Sequence, residues 1–534
     1  MNVNPALRLN ILVTSSTLGL AERESEPVML SPTKIETSRL LKQAVAADNA
    51  DLMLQAGAAA LQSGAQAEAL SPVSEMLRRD VGNARLWQLL GLLNRDLQDS
   101  AAALEAFRKA AQLMPNDAMI ANGLACVTHE AGLPATELFE RAIDLDPTNR
   151  DLWLRLSASW AQEGQAQAVI GVLEEELAAD PGWIDGHKTL AKLRWESGDR
   201  QGFARSFDKA LQASPRNQAL WLAYVQAVAH DNLHERALEV IHRAGAALGA
   251  LPELDGAEAV TQTELGNLEA AAPLFARSAQ LGDLSVLVAY LRFLIRLGRI
   301  AEAGAVAESN IEQVGTWMWP YLSICWRLLG DERWQWLEGD PELIGVYDIA
   351  DTLPDLEQLA QRLRSIHWAN VEPVDQSLRG GTQTQGDLLS RIDPEIRQLR
   401  QAIVAAVEHH VSHLPPYRPQ HPTLIQHRSP ILFNGSWSVR LTGGGRHIDH
   451  LHPAGWLSSA LYIALPSEKE RGSGEAGWLV LGQASDLVPD LPPIRVVEPK
   501  PGRLVLFPST MWHGTRAFGA GERLTVAFDV KRPG

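Results

Sequence analysis

Four side chains able to bind a metal, His447, Asp449, His450 and His452, fall within the stretch Arg446-His447-Ile448-Asp449-His450-Leu451-His452-Pro453. A lone His513 follows in Trp512-His513-Gly514, and Arg523 and Thr525 lie beyond it. A non-haem ferrous ion is held on one face by two imidazoles and usually one carboxylate, with positions left open for a bidentate 2-oxo acid and for dioxygen. Residues at i and i+2 of a strand point the same way, so the stretch offers either His447 with Asp449 or His450 with His452, but not both pairs. The first pair supplies a carboxylate; the second does not. His513 stands where the distal ligand would enter, after a strand and a short Pro508-Ser509 turn. The fork of Arg523 suits a two-point grip on the far carboxylate of 2-oxoglutarate, and the Thr525 hydroxyl points to the same face.

Such a site has to be carried by strands. From Leu424 onward the pattern changes to period two, in Trp437–Leu441, Ser459–Ile463, Gly477–Leu481, Arg503–Phe507 and Leu524–Phe528, with turn-rich pieces between. Many short strands without intervening helices predict a sandwich or jelly roll, of which the iron-binding double-stranded β-helix is one form. Gly443-Gly444-Gly445 is not followed by Gly-Lys-Ser/Thr, so it reads as a strand connection and not as a phosphate loop.

The first half is built on another principle. Pro115, Pro147, Pro181 and Pro215 are spaced by 32, 34 and 34 residues, and a bulky apolar residue stands eight before each: Phe107, Phe139, Leu173 and Phe207. One recurrent position holds Trp87, Ala121, Trp153, His187 and Trp221. Trp87-Gln88-Leu89-Leu90-Gly91 and the A-x-x-x-F pieces at Ala103–Phe107 and Ala135–Phe139 follow the tetratricopeptide pattern. Each such hairpin completes its apolar face only against the next, with Pro at the break and Gly132, Gly164 and Gly198 at the turn within a pair. The tryptophans are expected to pack between helices. The stacked array leaves a surface suited to a protein or peptide partner.

Between these halves, Trp317 to Tyr347 is crowded with aromatics and is expected to cap the array as a helix pair. Pro373 to Gly386 reads as a loop or linker, and a helix is expected from about Pro394 to His413, with Ile396, Leu399, Ile403, Val407 and Val411 at helical spacing. The chain has 534 residues, too many for one core, and a net charge of −16. With no basic cluster, nucleic acid is not an expected partner. The two cysteines, Cys126 and Cys325, make no evident pair, which points to a reducing compartment. Ile11 to Ala21 is only weakly apolar and is broken by Ser15, Ser16 and Thr17. No signal peptide or membrane span is read there, and a cytoplasmic location is expected.

His450-Leu451-His452-Pro453-Ala454-Gly455-Trp456-Leu457-Ser458-Ser459, Pro501-Gly502 with Leu506-Phe507-Pro508-Ser509, His513, Arg523-Leu524-Thr525 and upstream Asp375 to Thr384 together resemble a known family. In it a tetratricopeptide array precedes a 2-oxoglutarate- and Fe(II)-dependent oxygenase fold. The resemblance implies His450 and His452, on its His-x-His-Pro element, as the ligands with His513, in place of His447 and Asp449. It also implies Fe(II) and 2-oxoglutarate as cofactors. The expected architecture is a multidomain α + β chain: an N-terminal segment over 1–47, a helical repeat array over 48–312, aromatic-rich capping helices and linker over 313–393, and an oxygenase-like jelly roll over 394–534. The expected function is a dioxygenase that hydroxylates a protein or peptide recruited by the array. The alternative is a tetratricopeptide interaction protein whose barrel is non-catalytic or a cupin-like metal binder.

Overall fold

The computed structural model describes residues 32–230, 233–278, 281–374 and 376–533. It holds an N-terminal series of paired helices followed by antiparallel sheets. Among the described residues, one compact unit comprises 32–165 with 385–401, and the other 166–384 with 402–532.

The helical hairpins follow from local chemistry. After Pro115, Pro147 and Pro215 comes a capping residue, Asp117, Asn149 or Asn217, whose side chain accepts from the backbone N–H of Ile120, Asp151 or Leu220 at 3.0, 3.2 and 3.1 Å. These bonds satisfy donors that a helix start leaves open, so helices begin at Ala118, Arg150 and Gln218. Phe107 is 1% exposed and fills the space left by Gly91 and Gly123 on two neighbouring helices, where a Cβ would lie 2.6 and 2.2 Å from its ring. The recurrent aromatic position has a polar duty as well. Trp87, His187 and Trp221 each bond to the carbonyl six residues earlier, on Val81, Pro181 and Pro215, at 3.0, 3.1 and 2.9 Å.

Among the described residues, nine strands form two antiparallel sheets: β1 (Gly345–Asp348), β2 (Leu378–Gln383), β3 (Phe433–His447), β4 (Leu457–Ala464), β5 (Leu479–Leu481), β6 (Arg495–Val497), β7 (Arg503–Pro508), β8 (His513–Thr515) and β9 (Glu522–Val530). The larger sheet runs β1-β7-β4-β9-β3-β2 and the smaller β6-β5-β8. Every strand expected from the sequence is present.

Three expectations are corrected. The supposed loop at 373–386 contains β2, which pairs with β3; Asp375 within it lies outside the described residues. The supposed connection Gly443-Gly444-Gly445 is part of β3, and its glycines let two backbones meet: a Cβ on Gly445 would sit 2.6 Å from the Gly380 carbonyl oxygen of β2. The aromatic segment forms one α-helix, Trp319–Leu329, a single π turn, Gln335–Gly339, a short 3-10 turn, Pro341–Leu343, and then β1, which completes the edge of the larger sheet on β7. Its apolar residues Met318, Tyr321, Leu322 and Ile324 pack in one core with Leu294 and Ala307 of the array and with Ala484, Leu487 and Trp512 from the connections between strands. The expected helix Pro394–His413 is present.

Candidate metal centre

β3 ends at His447, and the chain then runs past His450 and His452 before β4. His513 opens β8 of the other sheet. An isolated antiparallel bridge joins the two places: the His450 N–H donates to the His513 carbonyl at 2.9 Å, and the His513 N–H donates to the His450 carbonyl at 3.1 Å. This backbone pairing brings His450, His452 and His513 together, with one ring nitrogen of each within 4.8 Å of the others.

The second ring nitrogen fixes which atom of each imidazole is available. His450 Nδ1 donates to the Ile448 carbonyl at 2.7 Å, and His513 Nδ1 donates to the Met511 carbonyl at 3.0 Å. A carbonyl oxygen only accepts, so both rings carry their proton on Nδ1 and present the Nε2 lone pair. His452 Nδ1 pairs with Asp529 Oδ2 at 2.6 Å, and the other Asp529 oxygen accepts from Ser458 Oγ at 2.6 Å. Nδ1 bonds of this kind orient metal-binding imidazoles and raise their basicity. Burial, then the neighbouring histidines, push His450 and His513 well below the usual histidine pKa, which keeps them neutral as ligation requires. Burial opposes charge on His452 too, but the charge and hydrogen bond of Asp529 outweigh it and hold that ring above the usual value.

His447 and Asp449, the competing pair, have other partners. His447 stacks against His450, with ring centres 5.6 Å apart, and its Nδ1 meets Ser377 Oγ at 3.0 Å. Burial and then the charge of Arg523 push its pKa down to about 3. The Asp449 carboxylate is engaged by a loop, accepting from the Ser485 N–H at 2.7 Å and from the Ser485 hydroxyl at 2.5 Å. His450, His452 and His513 are the only group of three or more His, Cys, Asp or Glu side chains among the described residues placed to hold an ion.

Arg523 sits on β9 opposite Leu441 of β3 and is 3% exposed. Its Nε and Nη1 have no hydrogen-bond partner, and its guanidinium lies 5.1 Å over the ring of Tyr462. The Tyr462 hydroxyl is likewise buried and unpartnered, and Tyr462 pairs in register with the buried Thr525. Burial lowers the Arg523 pKa and raises that of the Tyr462 phenol. A buried cation and a buried hydroxyl, both with open donors, match an anionic group with several acceptor oxygens. Neither Tyr462 nor Asp529 was singled out in the sequence. Tyr462 reads there as an ordinary apolar strand residue, and Asp529 lies far from His452 along the chain.

Residues 435–529 match the family described as "Putative 2OG-Fe(II) oxygenase". That segment of the chain is a domain of this family. Residues 84–117 match the family described as "Tetratricopeptide repeat", so the oxygenase domain is preceded by tetratricopeptide repeats. Among solved structures, a Pseudomonas putida prolyl-4-hydroxylase is 20% identical over 36% of this chain and 94% of its own, with a TM-score of 0.25. YrrB, a tetratricopeptide protein with an unusual peptide-binding site, is 16% identical over 34% of this chain and 96% of its own, with a TM-score of 0.28. A tetratricopeptide repeat protein from Parabacteroides merdae ATCC 43184 is 15% identical over 46% of this chain and 94% of its own, with a TM-score of 0.29. No curated protein matches the chain. No helix among the described residues is long and apolar enough to cross a membrane.

Proposed function

We propose that the oxygenase domain is a 2-oxoglutarate- and Fe(II)-dependent dioxygenase that hydroxylates a protein or peptide held by the repeat array. His450, His452 and His513 would hold the iron through Nε2, and Arg523 with Thr525 would hold the far carboxylate of 2-oxoglutarate. The observation that carries this reading is the buried guanidinium of Arg523, with two open donors, in the same sheets as a group of three imidazoles placed to hold an ion. An unpaired buried charge is costly, so a site that keeps one is built for an anion.

When bound, the iron and the 2-oxo acid together supply the activation of dioxygen and the electrons for its reduction. The chain's own residues do the arranging. Asp529, Ile448 and Met511 fix the three imidazoles through Nδ1. Arg523 sets the direction of the dicarboxylate, and the Tyr462 hydroxyl adds a second donor on the same side. The strands that carry the site belong to residues 394–534, joined by β1 and β2 from the segment 313–393. Support for a polypeptide substrate comes from the repeats, whose stacked hairpins suit extended or helical peptides. The unbridged, buried Cys126 and Cys325 suit a reducing compartment such as the cytoplasm.

A second reading has its own support. The donor set is three imidazoles with no carboxylate, because Asp449 is committed to Ser485. A metal-binding, cupin-like barrel that uses no 2-oxo acid, attached to an interaction array, would fit that set. Calorimetric titration of 2-oxoglutarate into the full-length protein under anaerobic conditions separates the two. Binding that requires Fe(II) and is absent in His513→Ala is expected. Iron bound without any uptake of 2-oxoglutarate at millimolar concentration would favour the second reading.

A further inference from the structure

Each of the three histidines has an immediate sequence neighbour fastened to one brace. Pro453 follows His452, and its carbonyl accepts from the Thr316 hydroxyl at 2.5 Å. Trp512 precedes His513; its indole N–H donates to the Pro320 carbonyl at 3.3 Å, and the Tyr321 ring stands at 90° to it with centres 5.8 Å apart. Asp449 precedes His450 and is held by Ser485. The loop carrying Ser485 is itself pinned at both ends by Arg327, whose guanidinium donates to the carbonyls of Gly482 and Pro492. The same loop meets Trp512 again, where the Gly482 N–H donates to the Trp512 carbonyl at 2.6 Å. Leu451, between His450 and His452, packs in the core that contains Trp512, Leu487, Leu322 and Ala307.

We propose that the segment 316–329, with Arg327 as its central member, is a positioning device that holds the metal-binding histidines from behind. The inference rests on the reading of His450, His452 and His513 as metal ligands. It assigns Asp449 a place in the brace, and it makes the junction after the array part of the working site and not a passive spacer. A loop free to move would let His450 and His513 drift, because their mutual bridge consists of two backbone bonds outside any strand pair. Arg327 removes that freedom by closing the loop 482–492 with two charge-assisted bonds to carbonyls, which a single ammonium cannot reproduce in the same geometry.

The test uses the full-length metal-free protein, Co(II) as the probe and the visible absorption of the bound ion as the readout. The parent is expected to give a histidine-bound Co(II) spectrum. Arg327→Gln, checked for an intact fold by circular dichroism, is expected to shift that band and weaken Co(II) binding about tenfold, the lower end of what loss of an orienting partner costs a metal site. Arg327→Lys should recover part of the affinity. Thr316→Val, which removes a single hydroxyl bond, should weaken binding about threefold and serves as the deciding variant if Arg327→Gln does not fold. Parental affinity and band in the folded variants would overturn the brace. Amide exchange of His450 and His513 without metal keeps the two possible failures apart. Faster exchange in Arg327→Gln is expected, and unchanged exchange overturns the brace whatever the metal does. A parent that gives no Co(II) spectrum overturns instead the metal reading beneath it.

Discussion

In the array, Trp87, His187 and Trp221 occupy one recurrent place and make one recurrent bond, to a carbonyl six residues back. In the sheets, His452 depends on Asp529 and His450 on His513, contacts that join distant parts of the chain and occur once each. The first design spreads its stability over near-equivalent hairpins, each contacting chiefly its neighbours, so a local fault stays local. The second concentrates three imidazoles and an unpaired guanidinium on a few long-range pairings. A fault there should remove function before it removes the fold.

The most damaging single change is expected in the array's packing. Phe107→Ala should cost about 3 to 5 kcal/mol, because the ring fills the space above Gly91 and Gly123 and nothing nearby can replace it. Hydrogen exchange should report the loss in helices Ala84–Asp96 and Ala118–Glu130. A loss below about 1 kcal/mol, small for a buried aromatic, would mean that the hairpins collapse easily into the gap.

His513→Ala should act in the opposite manner. Loss of an orienting partner alone costs a metal site about 10- to 100-fold, so loss of the ligand proposed at His513 should exceed about 100-fold in Fe(II) affinity with little change in melting temperature. Trp221→Ala, on the array side, should destabilise its hairpins and leave metal binding at the parental level. An anaerobic Fe(II) titration of both variants breaks the comparison if they behave alike.

Acid sharpens it. Burial pushes His367, His410 and His421, all packed on the sheet side, down to about 4. Between the unfolded value near 6.5 and the folded value near 4, the unfolded chain binds more protons, so stability is lost as pH falls through that window. Each residue should withdraw about 2 kcal/mol by pH 5. Melting curves at pH 7 and pH 5 should therefore differ less in His410→Gln than in the parent. An equal shift in the two proteins would remove His410 from this account.

How much of this was legible follows from the same contrast. The hairpins could be read because Pro115, Pro147, Pro181 and Pro215 repeat a signal that one period suffices to interpret. Strands with strong alternation, such as those around Trp437 and Leu524, could also be read. β1, β2, β6 and β8 could not, being short or glycine-bearing and formed only where a partner strand awaits them. Spacing left two possible ligand pairs; the structure gathers His450, His452 and His513, and ties Asp449 to Ser485. Asp529 could not be inferred, since its bond to His452 depends on register across β4, β9 and the turn before β4.

That register suggests a milder substitution. Asp529→Asn keeps the shape of the side chain but removes the charge that holds His452, and should weaken Fe(II) binding about tenfold with the fold retained. Parental binding would mean that His452 needs no such partner.

The most direct measurement concerns Arg523. Under anaerobic conditions, the absorption band of the complex with Fe(II) and 2-oxoglutarate can be titrated in the parent, Arg523→Lys and Arg523→Ala. Losing the fork should cost about 1.5 to 3 kcal/mol, roughly 10- to 100-fold in 2-oxoglutarate affinity, with Lys between parent and Ala. A band in the parent with affinity falling in the order parent, Lys, Ala is the predicted result. Iron demonstrably bound with no band in the parent, or Arg523→Ala binding 2-oxoglutarate as the parent does, would contradict it.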